Sequence, residues 1–192
     1  MTYMNNKKPA IPPQDSLLYT AFFCEENIYH LGKTLVAEGF TAADIDIIFL
    51  SNANKSIALR QQQLQSDSCD YVVWDYHVIL QLRYAQHEWI FDFDSLLDFP
   101  TLKEDYFQNT LIEKDKLAPE LRPYARFIPL ADYLHQFCSS RKHMLDNTGL
   151  PLANFPAYPP IQASNKHESI DLMQYIDMQA IIANSCVFSL YA

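Results

Sequence analysis

The chain reads as an α+β fold in which an early helix packs on an antiparallel sheet. Three observations lead there. The first strongly periodic segment is helical, and the segments after it are mostly neighbouring β-branched and aromatic runs rather than alternating strand–helix units. Hydrophobic residues make up 49% of the 192 residues and aromatics 14%, enough for one sizeable core and too many for a disordered chain. Glycine is scarce. Gly32, Gly39 and Gly149 are the three in the sequence, and no two lie close enough to write a phosphate loop or a dinucleotide fingerprint. The length suits a single domain, 1–192, with residues 1–15 as an extended lead-in.

Residues 25–38 form the first expected helix. Ile28, Leu31, Leu35 and Val36 share one face, and Gly39 supplies the stop. Residues 45–50 (IDIIFL) read as a short buried strand. Residues 71–82 (YVVWDYHVILQL) and 88–94 (EWIFDFD) read as the two strands of a hairpin. A helix is expected over 100–113, a strand over 124–129 and a helix over 130–137. A last short helix at 171–178 and a strand at 187–191 complete the pattern. Residues 149–160 carry repeated prolines and are expected to form a long irregular loop.

The charge balance is 14 basic against 23 acidic residues, a net charge of −9. That lacks the basic stripe a nucleic-acid surface needs and disfavours an anionic membrane face. The first 14 residues are polar and proline-bearing, without the apolar stretch of a signal peptide, and no run is long enough to span a membrane. Cys24, Cys69, Cys138 and Cys186 lie far apart, with neither disulfide-scaffold nor zinc spacing. A reducing, cytoplasmic compartment is the simplest expectation.

Chemistry enters at Cys24, at the start of the first helix. Helix amides and the helix dipole favour a thiolate there, while Glu25 and Glu26 oppose it. A small buried core residue is the plain alternative. In the strand over 71–82, a period of two puts Val73, Asp75, His77 and Ile79 on one face and Val72, Trp74, Tyr76 and Val78 on the other. An ionisable pair thus sits mid-strand, although a structural histidine would fit as well. The hairpin supplies a third group. A Tyr84-Ala85 loop sets His77 opposite Asp92, and an Ala85-Gln86 loop sets it opposite Asp94. Cysteine, histidine and aspartate are then a nucleophile, a base and its orienter, in the chain order of papain-like and transglutaminase-core cysteine hydrolases.

The string Trp74-Asp75-Tyr76-His77-Val78 is a WDYHV signature, and Cys24-Glu25-Glu26-Asn27-Ile28 accompanies it, preceded by Tyr19. Ser51-Asn52, Gln62-Gln63, Asp92-Phe93-Asp94 with Phe99-Pro100, the segment 140–144 (SRKHM), Tyr158-Pro159 and Asp177-Met178 follow in order. On these residues the chain resembles the protein N-terminal glutamine amidohydrolase family. The resemblance covers nearly everything from Tyr19 onward and leaves the lead-in unaligned. It implies deamidation of an N-terminal glutamine side chain to glutamate on a peptide or protein, with ammonia released through a cysteine thioester. It assigns Cys24, His77 and Asp92 as the catalytic residues, which agrees with the Tyr84-Ala85 loop, and leaves Asp94 a structural role bonding loop amides.

The implied route needs neither a metal nor an organic cofactor. Backbone amides at the helix start are the expected oxyanion donors, with the Tyr19 hydroxyl a weaker one. Reading a free α-amine calls for a carboxylate near Cys24. Asp75 is the first choice beside Glu25 and Glu26, and Trp74 and Tyr19 join them as substrate-binding candidates. Arg141 and His143 suggest either a second site or an exposed helix end. The expected partners are peptides or proteins with a free N-terminal glutamine, met by a monomer, without nucleic acid or membrane. Two alternatives stay open: another enzyme on the same core, such as an internal-glutamine deamidase or cysteine protease, and a non-catalytic module that binds N-terminal residues.

Overall fold

Ile28, Leu31 and Leu35 recur at helical spacing and are all buried, which fixes helix α1 (Cys24–Ala37) against the sheet. Gly39, at φ +95°, lets the chain leave the helix in a conformation that other residues avoid. Gly32 answers a different need: a β-carbon there would collide with a δ-methyl of Leu130. The computed structural model describes residues 7–191, so the first six residues of the expected lead-in lie outside the described part.

The main sheet joins β1 (Ile45–Ser51), β4 (His77–Tyr84), β5 (His87–Phe91), β6 (Thr101–Leu102), β7 (Tyr124–Pro129) and β10 (Cys186–Ser189). Its order is β10-β7-β1-β4-β5-β6, and every pairing is antiparallel. Both faces are covered, which is why β1 reads as an almost unbroken apolar run. On one face Ile47, Phe49, Val78, Leu80 and Phe91 pack with α1, with α3 (Leu130–Gln136) and with α4 (Leu172–Ile176). On the other, Ile48, Leu50, Ile79 and Ile90 meet Tyr106 of α2 (Lys103–Thr110) and Ile57 and Leu59 of β2 (Ile57–Arg60). Among the described residues, strand β2 pairs only with β3 (Tyr71–Trp74), and the short β8 (Phe137–Cys138) pairs in parallel with β9 (Ile170–Asp171). Among the described residues, no helix is long and apolar enough to cross a membrane.

The α+β expectation and its antiparallel sheet hold. Three details change. The expected strand over 71–82 is two strands in two sheets, parted at Asp75-Tyr76, so Val73 and Asp75 do not share a face with His77. The hairpin loop is Ala85-Gln86, with Tyr84 opposite His87 and Leu80 opposite Phe91. Both loop residues have positive φ, at 51° and 67°. That is the twist a tight two-residue turn demands, supplied here without its usual Asn-Gly signal. The helix expected over 100–113 is confined to α2, since Pro100 and Thr101 stay outside it.

Candidate active site

The hairpin brings His77 and Asp92 together even though its register is the one that would set His77 opposite Asp94. The ladder stops at Leu80 and Phe91, and beyond Phe91 the chain turns. His77 Nε2 lies 2.8 Å from Asp92 Oδ1. The same oxygen accepts the Asp94 backbone N–H at 2.9 Å, while Oδ2 accepts from the Tyr106 hydroxyl at 2.8 Å and Gln62 Nε2 at 3.2 Å. Asp92 therefore takes the loop amide expected of Asp94. Asp94 accepts instead the Tyr19 hydroxyl at 2.7 Å, which commits the group proposed from sequence as an oxyanion donor.

Both members of the pair are buried, His77 completely. Burial alone would push the Asp92 carboxyl up. The His77 charge and hydrogen bond, the Tyr106 hydroxyl and the Asp94 amide outweigh it and hold Asp92 below its usual range. For His77 burial disfavours the charged ring, yet the Asp92 charge and hydrogen bond, with Asp94 nearby, raise its pKa. Trp74 stacks on the imidazole at 5.3 Å between centroids and 18° between planes. The ring is thus fixed by Asp92 at one edge and Trp74 on one face, and His77 Nδ1 has no hydrogen-bond partner among the described residues. One ligand-type atom from each of His77, Asp92 and Asp94 falls within 4.8 Å of the others. The 2.8 Å separation of His77 and Asp92 is that of a direct hydrogen bond.

Cys24 opens α1 and is 9% exposed. It shares a buried cluster with Tyr76 and Val78, the residues on either side of His77. Burial, with Glu25, Asp94 and Asp75 nearby, drives the thiol pKa well above its ordinary value. Burial is the largest of these causes, and Glu25 adds to it the opposition anticipated from the sequence.

An N-terminal glutamine amidase family model matches residues 19–189, a span that contains each of these groups. The chain belongs to that family. A human relative named protein N-terminal glutamine amidohydrolase is 31% identical over 185 residues, covering 95% of this chain and 89% of the relative. Relatives of the same name from Arabidopsis thaliana and Caenorhabditis elegans are 33% and 31% identical, over 77% and 90% of this chain and 69% and 91% of their own lengths. The resemblance read from WDYHV and CEEN is thereby established, and with it membership of a family of hydrolases acting on amide bonds.

The remaining candidates of this amidase-family chain divide clearly. Asp75, the first choice for reading an amine, is exposed and caps the Tyr76 backbone N–H at 3.0 Å. Glu26 is buried and consumed by Arg141 Nε and Nη2 at 2.8 and 2.7 Å, and by the Ser139 hydroxyl at 2.6 Å. Arg141 is itself buried among the rings of Phe23, Phe155 and Tyr158. The exposed-helix-end explanation of Arg141 and His143 therefore fails: Arg141 ties the 139–160 segment to the first turn of α1. Glu25 is fully buried beside Cys24, with Oε2 3.8 Å from the sulfur and 2.9 Å from the Tyr76 hydroxyl. His143 closes over it, 3.7 Å from Oε1 and 3.3 Å from the Tyr76 hydroxyl.

Tyr106, and the bond from Gln62 to Asp92, escaped the sequence reading. Tyr106 lies in a polar helix and Gln62 in a glutamine run, so neither periodicity nor composition marks them. Only the fold brings both to one carboxylate.

Proposed function

We propose that this chain hydrolyses the side-chain amide of an N-terminal glutamine to glutamate and releases ammonia, with Cys24 as nucleophile, His77 as acid and base, and Asp92 as its orienter. The observation that carries this reading is the buried His77–Asp92 pair, 2.8 Å apart, whose Nδ1 has no hydrogen-bond partner among the described residues and whose chain neighbours Tyr76 and Val78 share a buried cluster with Cys24. Because the resting thiol is protonated, activation comes from the histidine. His77 Nδ1 takes the thiol proton as the sulfur attacks the glutamine δ-carbon. The Cys24 backbone N–H, in the first turn of α1 where amides lack an intrahelical partner, is the expected donor to the developing oxyanion.

The tetrahedral adduct collapses when His77 returns its proton to the amide nitrogen. The C–N bond breaks, ammonia leaves and a thioester remains on Cys24. His77 then takes a proton from water as its oxygen attacks the thioester carbon; the C–S bond breaks, the sulfur takes that proton back from His77, and the glutamate carboxyl is released. One water enters and one ammonia leaves. Asp92 holds the tautomer and balances the imidazolium throughout. The route uses neither a metal nor an organic cofactor.

A helix that carries the nucleophile, packed on an antiparallel sheet that carries histidine and aspartate, is the arrangement of a papain-like or transglutaminase-like core, and we assign the fold to that group. We read the chain as one catalytic domain that works as a cytoplasmic monomer on peptides or proteins, without nucleic acid or membrane. Mass spectrometry on three matched peptides tests the function: glutamine first, glutamine first but acetylated, and glutamine second. Conversion of the first alone supports the reading. Equal conversion of all three would assign the same chemistry to an internal deamidase, and backbone cleavage to a protease.

A further inference from the structure

Glu25 is a buried carboxylate that the triad does not use. Its side chain is wholly inaccessible, and Oε1 has no hydrogen-bond partner among the described residues. An ionised oxygen left bare in the interior is costly, and native folds keep such groups where something charged will meet them. No cation among the described residues hydrogen-bonds Glu25: Arg141 feels its charge but spends its own bonds on Glu26. Tyr76 donates a neutral hydroxyl to Oε2, and His143, at 3.7 Å from Oε1, is held toward its neutral form by burial. The adjacent Glu26 has its own guanidinium, which makes the contrast within one helical turn plain.

We propose that Glu25 reads the substrate's α-ammonium, receiving it on Oε1 while Cys24 receives the side-chain carbonyl. The inference rests on the glutamine-amidase reading above and names the group that restricts it to a free terminus. The distances allow it. A glutamine's α-nitrogen is four bonds from its δ-carbon, about 4–5 Å away, and a reacting carbon stands about 3–3.5 Å from its nucleophile. With Oε2 3.8 Å from the Cys24 sulfur, a folded-back glutamine spans both groups. His143, on the turn Lys142–Met144, is the partly exposed side chain above Oε1, and the ammonium takes the place of that ring edge. Asp94 is the rival carboxylate. It already faces the His77 charge and holds the Tyr19 hydroxyl, so it has less to gain from a second cation. Asp75 is solvated, where an ion pair contributes little.

The test compares a peptide beginning with glutamine and its glutaramoyl counterpart, in which hydrogen replaces the α-amine and nothing else changes. Wild-type enzyme is expected to favour the amine by about tenfold or more in kcat/KM, the equivalent of ~1.4 kcal/mol. In Glu25→Gln that ratio should fall to within about threefold of unity, because the charge-assisted bond is gone. Tyr76→Phe removes a hydrogen bond from the same carboxylate but keeps its charge, so it should keep the preference. A merely structural role for Glu25 would make the two variants alike. If Glu25→Gln does not fold, Glu25→Asp gives the same reading through a raised KM confined to the free-amine peptide. Wild-type enzyme that turns over both peptides equally overturns the proposal. So does a preference that survives Glu25→Gln, or one that vanishes in Asp94→Asn or Asp75→Asn instead. A wild-type enzyme that releases no ammonia from either peptide fails the amidase reading itself, which separates the two failures.

Discussion

Replacing Glu25 with glutamine is expected to stabilise the ligand-free protein above neutral pH. Burial, opposed in part by the hydrogen bonds from Tyr76 and Cys24, raises the Glu25 carboxyl from 4.5 to about 7. The sign follows from linkage. The folded state binds this proton more tightly than the unfolded chain, so the ionisation penalty is complete above the folded value and disappears below the unfolded one. A gap of two to three pK units, at 1.36 kcal/mol each, makes the penalty about 3 kcal/mol at pH 8. At pH 5 it shrinks to about 1 kcal/mol or less. Glutamine has nearly the same shape and carries no charge to desolvate. Urea unfolding of wild type and Glu25→Gln at pH 8 and pH 5 reads the difference directly, and a melting shift on the order of 10 °C should accompany it at the higher pH. A variant no more stable than wild type at pH 8, or one whose advantage persists undiminished at pH 5, would refute the reasoning. Retaining a destabilising carboxylate beside the nucleophile is what a binding role would explain.

Asp92→Asn is expected to lower turnover by about 10⁴, as comparable orienting aspartates do, while Asp94→Asn loses far less; steady-state ammonia release compares them. Arg141→Met leaves Glu26 buried without its guanidinium and should destabilise the fold by about 3–5 kcal/mol, measured by chemical denaturation. In the ligand-free enzyme iodoacetamide should label exposed Cys186 before Cys24, because Cys24 is buried and its thiol is held protonated; peptide mapping of a time course gives the order. Wild type must release ammonia from a glutamine-initiated peptide where Cys24→Ala does not, and circular dichroism should find the variant folded.

The sequence made some of this legible for physical reasons. Helical spacing at Ile28, Leu31 and Leu35 located α1, and the apolar run over 45–50 located the central strand, because burial leaves a periodic trace. The His77–Asp92 pair is legible too, since two hairpin aspartates two residues apart guarantee a carboxylate near His77. Which one was less secure. The sequence does not mark the loop register, because Ala85-Gln86 adopts a tight turn without the residues that usually announce it, and Asp92 still reaches His77 because the ladder ends before either residue. The break at Asp75-Tyr76 was invisible, as apolar and aromatic residues continue through it. Asp75 lost its first place for that reason. The roles of Arg141, His143, Gln62 and Tyr106 depend on contacts across long stretches of chain, which no local pattern encodes.

The central claim is that Cys24 carries the substrate's acyl group. Hydroxylamine competes with water for a thioester, and capture leaves a γ-hydroxamate on the terminal residue in place of the glutamate carboxyl. Wild-type enzyme turning over a glutamine-initiated peptide in rising hydroxylamine is expected to yield that hydroxamate in growing proportion, and Cys24→Ala to yield none. Ammonia release that gives only glutamate at every hydroxylamine concentration, or hydroxamate formed equally by Cys24→Ala, would contradict the account.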